Sequence, residues 1–452
     1  MKKLLFKTLA LALVICALLS LSSCGIILST LLTDKTELGR IEQKLNTLDS
    51  VTTGIEASIE MDDGIECNLA SKQLVIGSSY LFSRTYVAVK LGGTKISEQT
   101  STVLYKDGKG YFSMSDGTTE NKVASEMTAN EFISSINSDG DGEGDGFIKV
   151  FAKAAKDIEP EIAEDKTRTL TLENVSADAI DKAGGKIISA LGIEIENTKV
   201  VFTYDESYLL DNITISFDVL GESDEKTKGE IVISITDANS TEPWAEEPDT
   251  ESYRTVDNLA KVIKAYGDLN SITDRESCRF TIDSYAKMTA TGIDPLEEIA
   301  LIETELTNED GVLVYSIDQT MNGENLKITY DGSRISYIIS GFSSSNSVSK
   351  AEAKQAIKEL LAIVSINYYG VESIKKNEDG SLTVETSIPD SLEMGGTADG
   401  DATVKYTLSF DKKGSLTELG LDASFDITLD GDRYSITYDM TLSIGDVEDN
   451  KE

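Results

Sequence analysis

The 452 residues contain no histidine. That removes the commonest general base and the commonest zinc ligand. A triad of the Ser-His-Asp type cannot be built. Cysteine occurs four times, proline five times and tryptophan once. Cys16, Cys24, Cys67 and Cys278 have no metal-knuckle spacing and form no disulfide framework. Cys67 and Cys278 sit in strand-like segments of different halves and are expected to pack as small buried apolar groups. Basic side chains are scarce, 41 Lys and Arg against 79 Asp and Glu, for a formal net charge of −38. Such a surface repels phosphates, which excludes nucleic acid as a partner. No phosphate-binding glycine loop is present, because Gly184-Gly185 lacks the lysine and hydroxyl that must follow. No cofactor, no metal site and no enzymatic activity are expected.

What is present begins with an address. Lys2, Lys3 and Lys7 precede an uncharged apolar run from Leu9 to Leu19, and Leu21-Ser22-Ser23-Cys24-Gly25 follows. A basic start, an apolar middle and small residues at a cut site make a secretory signal. The Leu-Ser-Ser-Cys ending resembles the lipobox of bacterial lipoproteins. That resemblance implies diacylation of the Cys24 thiol and cleavage before it, with residues 1–23 as signal peptide and 24–33 as tether. Ile26, Ile27, Leu28, Leu31 and Leu32 prolong the apolarity, so an uncleaved membrane helix is the alternative. Both place the chain on the extracytoplasmic side of a cell membrane.

The remainder repeats itself. Leu45-Asn46-Thr47-Leu48-Asp49-Ser50-Val51-Thr52 recurs as Tyr266-Gly267-Asp268-Leu269-Asn270-Ser271-Ile272-Thr273. The hairpin signal from Tyr105 to Tyr111 has a partner from Tyr330 to Tyr337. Ser216-Phe217-Asp218-Val219 matches Ser424-Phe425-Asp426-Ile427, and Ile233 to Asp237 matches Leu442 to Asp446. Four matches in one order, about 210–225 residues apart, predict two tandem domains and not a solenoid. The expected bounds are 34–240 and 253–448. Between them, 241–252 holds two of the five prolines and the sole tryptophan, and reads as a stiff acidic linker. Trp244 is expected to dock one domain on the other, with partner binding as the alternative.

Each copy opens on a helical stripe: Leu38, Ile41, Leu45 and Leu48, then Val256, Leu259, Ala260, Ile263 and Tyr266. Further helices are expected at Phe147–Ile158, Ala177–Leu191 and Ser349–Asn367, the last with Ser349 and Glu352 as a capping box. Period-two alternation marks strands. Leu419, Leu421, Ala423, Phe425, Ile427 and Leu429 share one face, and Tyr434, Ile436, Tyr438, Met440, Leu442 and Ile444 repeat the pattern after Asp430-Gly431. One greasy and one wet face predict antiparallel sheets solvated on one side. The expected fold is α+β: two tandem copies of a curved antiparallel sheet, a half-open barrel, wrapping a few helices. This pattern resembles the LolA/LppX-type lipoprotein carriers. The resemblance implies a hydrophobic cavity for an acyl chain or lipid, and carries over no residue-specific site.

Two local patterns suggest chemistry. Asp139 to Ile148 resembles a calcium loop, with Asp141, Glu143 and Asp145 alternating, but Ala152 stands where a closing bidentate glutamate belongs. An acidic loop ahead of a helix is the plainer account. Ser347/Lys350 and Ser373/Lys376 have the Ser-x-x-Lys spacing of penicillin-binding enzymes without the companion Ser-Asp-Asn and Lys-Thr-Gly motifs. Two functions stay open: a tethered module binding an apolar ligand or lipid between sheet and helices, or a structural, protein-interaction lipoprotein with solid cores.

Overall fold

The computed structural model describes residues 36–445 except 62–63, 116, 118–119, 137–146, 157, 178, 181–187, 189–192, 221–225, 271, 291–292, 310–311, 340–341, 349, 363–369, 388–390, 393–395, 399–402 and 430–431. Cys24, the signal and tether, the acidic loop and Ser349 lie outside the described residues. The chain divides into two compact units between Thr255 and Val256.

In the first unit α1 (Glu37–Leu45) precedes β1 (Ser50–Met61), β2 (Ile65–Ile76), β3 (Tyr80–Leu91), β4 (Thr94–Lys106), β5 (Lys109–Ser115) and β6 (Glu120–Glu126). Helices α2 (Ala129–Ile136) and α3 (Phe147–Ala155) follow. Then come β7 (Glu161–Ile162), β8 (Arg168–Glu173), β9 (Glu194–Tyr204), β10 (Leu210–Leu220), β11 (Lys226–Thr236) and β12 (Arg254–Thr255). All twelve strands form one sheet in the order β12-β6-β5-β4-β3-β2-β1-β11-β10-β9-β8-β7.

The second unit has α4 (Leu259–Asn270), then β13 (Ser277–Ala290), β14 (Ile293–Glu309), β15 (Val312–Met321), β16 (Glu324–Tyr330), β17 (Arg334–Ile339) and β18 (Phe342–Ser347). After α5 (Lys350–Ala362) come β19 (Val371–Lys376), β20 (Leu382–Ser387), β21 (Ser391–Leu392), β22 (Gly396–Ala398), β23 (Thr403–Phe410), β24 (Leu416–Leu429) and β25 (Asp432–Gly445). The order is β18-β17-β16-β15-β14-β13-β25-β24-β23-β20-β19, with β21 and β22 attached beside β24.

The two orders follow one plan. Six strands meander, helix intervenes, and the chain returns so that its last long strand pairs with its first, β11 with β1 and β25 with β13. The four internal sequence matches fall on equivalent places. They are the helix end before the first strand, the hairpin between fourth and fifth strands, and the final two long strands.

The expected α+β class is overturned. Strand accounts for 64% of the structure and helix for 15%, in two large sheets, instead of a curved half-open barrel sheet wrapping a few helices. Turn chemistry explains why strand wins. Asp107-Gly108 and Asn322-Gly323 both hold positive φ, as do Gly92-Gly93. Two-residue turns of that kind match the twist of the flanking strands and let long antiparallel pairs form. The helix expected at 177–191 lies mostly outside the described residues, and the one at 349–367 is described as α5 only to Ala362.

The helices that exist are locally specified. Thr36 caps α1, its hydroxyl accepting from Gly39 N at 3.2 Å, and Leu38, Ile41 and Leu45 form the buried stripe. Thr128 and Glu131 cap α2 reciprocally. Thr128 N donates to Glu131 Oε2 at 2.7 Å and Glu131 N to Thr128 Oγ1 at 3.2 Å.

Segment 241–252, expected to be a spacer, packs on the first sheet. Thr241 N donates to Ser50 Oγ, Trp244 N to Tyr80 Oη, and Lys106 pairs with Glu247 at 2.7 Å. Trp244 joins a cluster with Leu74, Tyr80, Phe82 and Leu104 within the first unit. Just past the segment, β12 pairs in parallel with β6.

Candidate functional site

Each sheet has a face that buries apolar residues, here called its core face. In the first unit that face is filled to its far end. Ile59, Ile65, Cys67, Val89, Phe217 and Val219 are buried there, packed with α1, α3, Ile180 and Ile188. Phe217 lies in the space left by Gly229, where an added Cβ would meet its ring at 2.1 Å.

The second unit differs. Register places Cys278, Leu306, Tyr315, Tyr330 and Ile335 in one row across β13 to β17. All are buried, near a core to which α4 and α5 give Leu259, Val262, Ile263, Ile357 and Leu361. The next row runs Phe280, Thr304, Ile317, Ile328 and Tyr337, and its last two members are only half-buried. The row beyond, Ile282, Ile302, Gln319, Leu326, Ile339 and Phe342, ends with Ile339 at 45% and Phe342 at 79% exposure. Farther along the same face, Met288, Phe425 and Ile436 are half-buried and Leu296 is 62% exposed. Opposite Phe425 stands Ile436, so no glycine pocket receives that ring as Gly229 receives Phe217. Among the described residues the face thus stays mainly apolar while its cover ends partway.

Polar chemistry on this face is sparse and placed. Core-face positions of β13–β18, β24 and β25 carry no Lys or Arg among the described residues. Glu298 and Glu324 stand exposed at the uncovered end. Cations and their acids lie on the opposite face, as Arg279–Glu303, Lys287–Glu297 and Lys327–Asp318. Apolar residues exposed there, such as Ile299 and Leu301, interleave with these charges. The hydroxyls of Tyr315 and Thr304 are buried with no hydrogen-bond partner among the described residues. Burial, with Tyr337 and Tyr330 beside it, pushes the Tyr315 phenol up to about 12.

The sequence-derived candidates are not brought together. Ser373 donates to Glu385 Oε2 at 2.9 Å on the neighbouring strand, and three residues along a strand Lys376 belongs to the other side. Lys350 Nζ donates to Asn308 Oδ1 at 3.2 Å, and Ser347 is an exposed strand end. Cys67 and Cys278 are buried and in no disulfide, and burial pushes Cys67 up to about 11. Among the described residues no group of three or more Cys, Asp and Glu could hold a metal, and no helix is long and apolar enough to cross a membrane. The sequence reading missed the uncovered face. Leu326, Ile339 and Phe342 show in sequence as apolar strand positions, with nothing local to mark them as uncovered.

No family profile and no curated protein matches the chain. Among solved structures, a Mycobacterium tuberculosis protein aligns at 10% identity over 43% of this chain and 97% of its own, with a TM-score of 0.16. A Bacteroides fragilis protein described as an outer membrane protein aligns at 8% identity over 90% and 99%, with a TM-score of 0.17. A porin-like protein from Bacteroides uniformis aligns at 12% identity over 88% and 96%, with a TM-score of 0.14. At TM-scores this low, none of them bears on the fold or function of this chain.

Proposed function

We propose that this protein is an exported lipoprotein, held at the outer side of the cell membrane by lipid on Cys24, whose second unit binds an apolar ligand. The carrying observation is the core face of that unit, apolar beyond the point where its cover ends. A half-buried apolar surface of this kind gains roughly 25 cal/mol per Å² when a ligand removes it from water. The first unit, filled throughout, serves as a solid support. Nothing in this reading requires catalysis. Supporting the anchor are the basic start, the apolar run and the Leu-Ser-Ser-Cys ending.

The test is extraction. Full-length protein purified from its membrane should yield a stoichiometric hydrophobic compound by mass spectrometry of the organic extract, and acyl chains on Cys24 by peptide mapping. A ligand-free extract together with no uptake of added lipid would sink the binding role. An unmodified Cys24 in the membrane-bound protein would sink the anchor.

One observation favours a second reading, a protein-interaction role. The edge strand β18 is wholly exposed and uncharged, Phe342 to Ser347. Its counterpart β6 is capped by β12. Open edges of that kind pair with extended segments of other chains.

A further inference from the structure

Resting on the apolar-ligand reading, we infer that the second unit takes an acyl chain whose polar end is an uncharged carbonyl, an ester or amide, and discriminates against the free fatty-acid anion.

The first ground is an unused donor. Tyr315 is 2% exposed and its hydroxyl has no partner among the described residues. It sits on the core face in the last fully buried row, its ring 5.5 Å from that of Tyr330. Its other titrating neighbour, Tyr337, belongs to the half-buried row beyond. The phenol therefore lies where the closed core meets the uncovered face. Burial keeps it protonated far above neutral pH, so its O–H is a donor in need of an acceptor. Buried donors in native proteins have partners, and one without a partner marks a place for a missing acceptor. Thr304, in the adjacent row, offers a second unpartnered hydroxyl.

The second ground is charge. A carboxylate or phosphate brought to Tyr315 would be desolvated with no cation on the core face to pair with it. On its way it would pass Glu298 and Glu324 at the open end. An ester or amide carbonyl meets neither penalty.

The third ground is length. Along β15 the face runs from Tyr315 to Met321, six residues or roughly 20 Å at the rise of a strand. A single acyl chain spans about half of a bilayer core roughly 30 Å thick, or about 15 Å. One chain fits with its carbonyl at Tyr315 and its tail toward Leu326, Ile339 and Phe342.

Two fluorescent probes that share a chain and differ only in head charge, cis-parinaric acid and its methyl ester, give the test on the full-length protein at pH 7.5. The ester should bind at least tenfold more tightly than the acid. Tyr315→Phe, which keeps the ring, should remove about tenfold of the ester affinity and leave the acid unchanged. Should that variant fold poorly, Glu298→Lys at the exposed end should raise acid affinity several-fold and leave the ester unaltered. Equal binding of both probes, unmoved by either substitution, overturns this inference while the apolar-ligand reading stands. Tighter binding of the acid overturns it as well. Binding of neither probe overturns both.

Discussion

The Trp244 indole stacks on the Phe82 ring, centroids 5.3 Å apart and planes 13° from parallel, inside the first unit. Lys72 Nζ lies 4.3 Å from the centre of the indole, and the backbone N–H of Trp244 donates to Tyr80 Oη at 3.0 Å. The segment that looks like a spacer is therefore a strap across the sheet face opposite the core, over Leu74, Phe82 and Leu104. Those three apolar residues explain the strap, since without it they would face water. At the equivalent rows the second sheet carries Glu305, Ser316, Thr329 and Ser336, which need no cover.

Trp244→Ala should destabilise the first unit by about 2 kcal/mol, from lost area and the stacked pair. As the only tryptophan, Trp244 makes its own readout in the parent protein. Its fluorescence should report unfolding of the first unit alone in a denaturant titration, while circular dichroism reports both. Coincidence of the two signals at every denaturant concentration would contradict the strap's confinement to one unit.

Acid should loosen α2. Hydrogen bonds from the Thr128 backbone and hydroxyl hold the Glu131 carboxyl below its usual range. A carboxylate with a lowered folded pKa adds stability that is complete above its unfolded value and is lost as pH falls through the folded value. Protection of the amides in Ala129–Ile136 should therefore fall below about pH 4.5, measured by hydrogen exchange. Thr128→Ala should cost about 1 kcal/mol at neutral pH. Glu131→Gln should abolish the pH dependence of that protection.

The two buried cysteines should be silent toward thiol reagents in the native protein. Cys67 and Cys278 have 3% and 0% exposure, and the thiolate, which is the reactive form, is suppressed at Cys67 by burial. Labelling with a maleimide before and after denaturation checks this. Rapid native labelling of Cys278 would mean that the second core opens far more readily than its packing implies.

The free edge should show in exchange rates. Val123 and Ala124 on β6 are paired with Arg254 and Thr255, whereas among the described residues β18 has a partner on one side only. Outward amides of β18 should exchange orders of magnitude faster than those of Val123 and Ala124. A binding partner that adds a strand should slow them selectively, and Ser345→Pro should then abolish that partner's binding.

Much of this architecture was legible. The alternation in Leu419–Leu429 and Tyr434–Ile444 gives β24 and β25, and their shared apolar face is the observed core face. The repeated segments locate equivalent strands because each marks a helix end, a turn or a paired strand, which are local events. The class was misjudged for a different reason. Strands such as β2 and β15 interleave serine, threonine and glutamine with their apolar residues, so the greasy face is diluted and short windows lose the period. The capping box at Thr128 and Glu131 marks α2, a helix outside the set expected from apolar periodicity. The uncovered face was not readable. Local sequence tells which side of a strand is apolar, and whether anything covers it is decided by segments far along the chain, such as that carrying Ile180 and Ile188 in the first unit.

Binding of Nile red, an uncharged probe, to full-length protein and to Leu326→Arg tests the central claim most directly. Leu326 is half-buried on the core face, so the substitution should leave the fold and the Trp244 signal unchanged. The account predicts one saturable site in the parent protein and its loss in the variant. No saturable binding, or equal binding by both proteins, would contradict it.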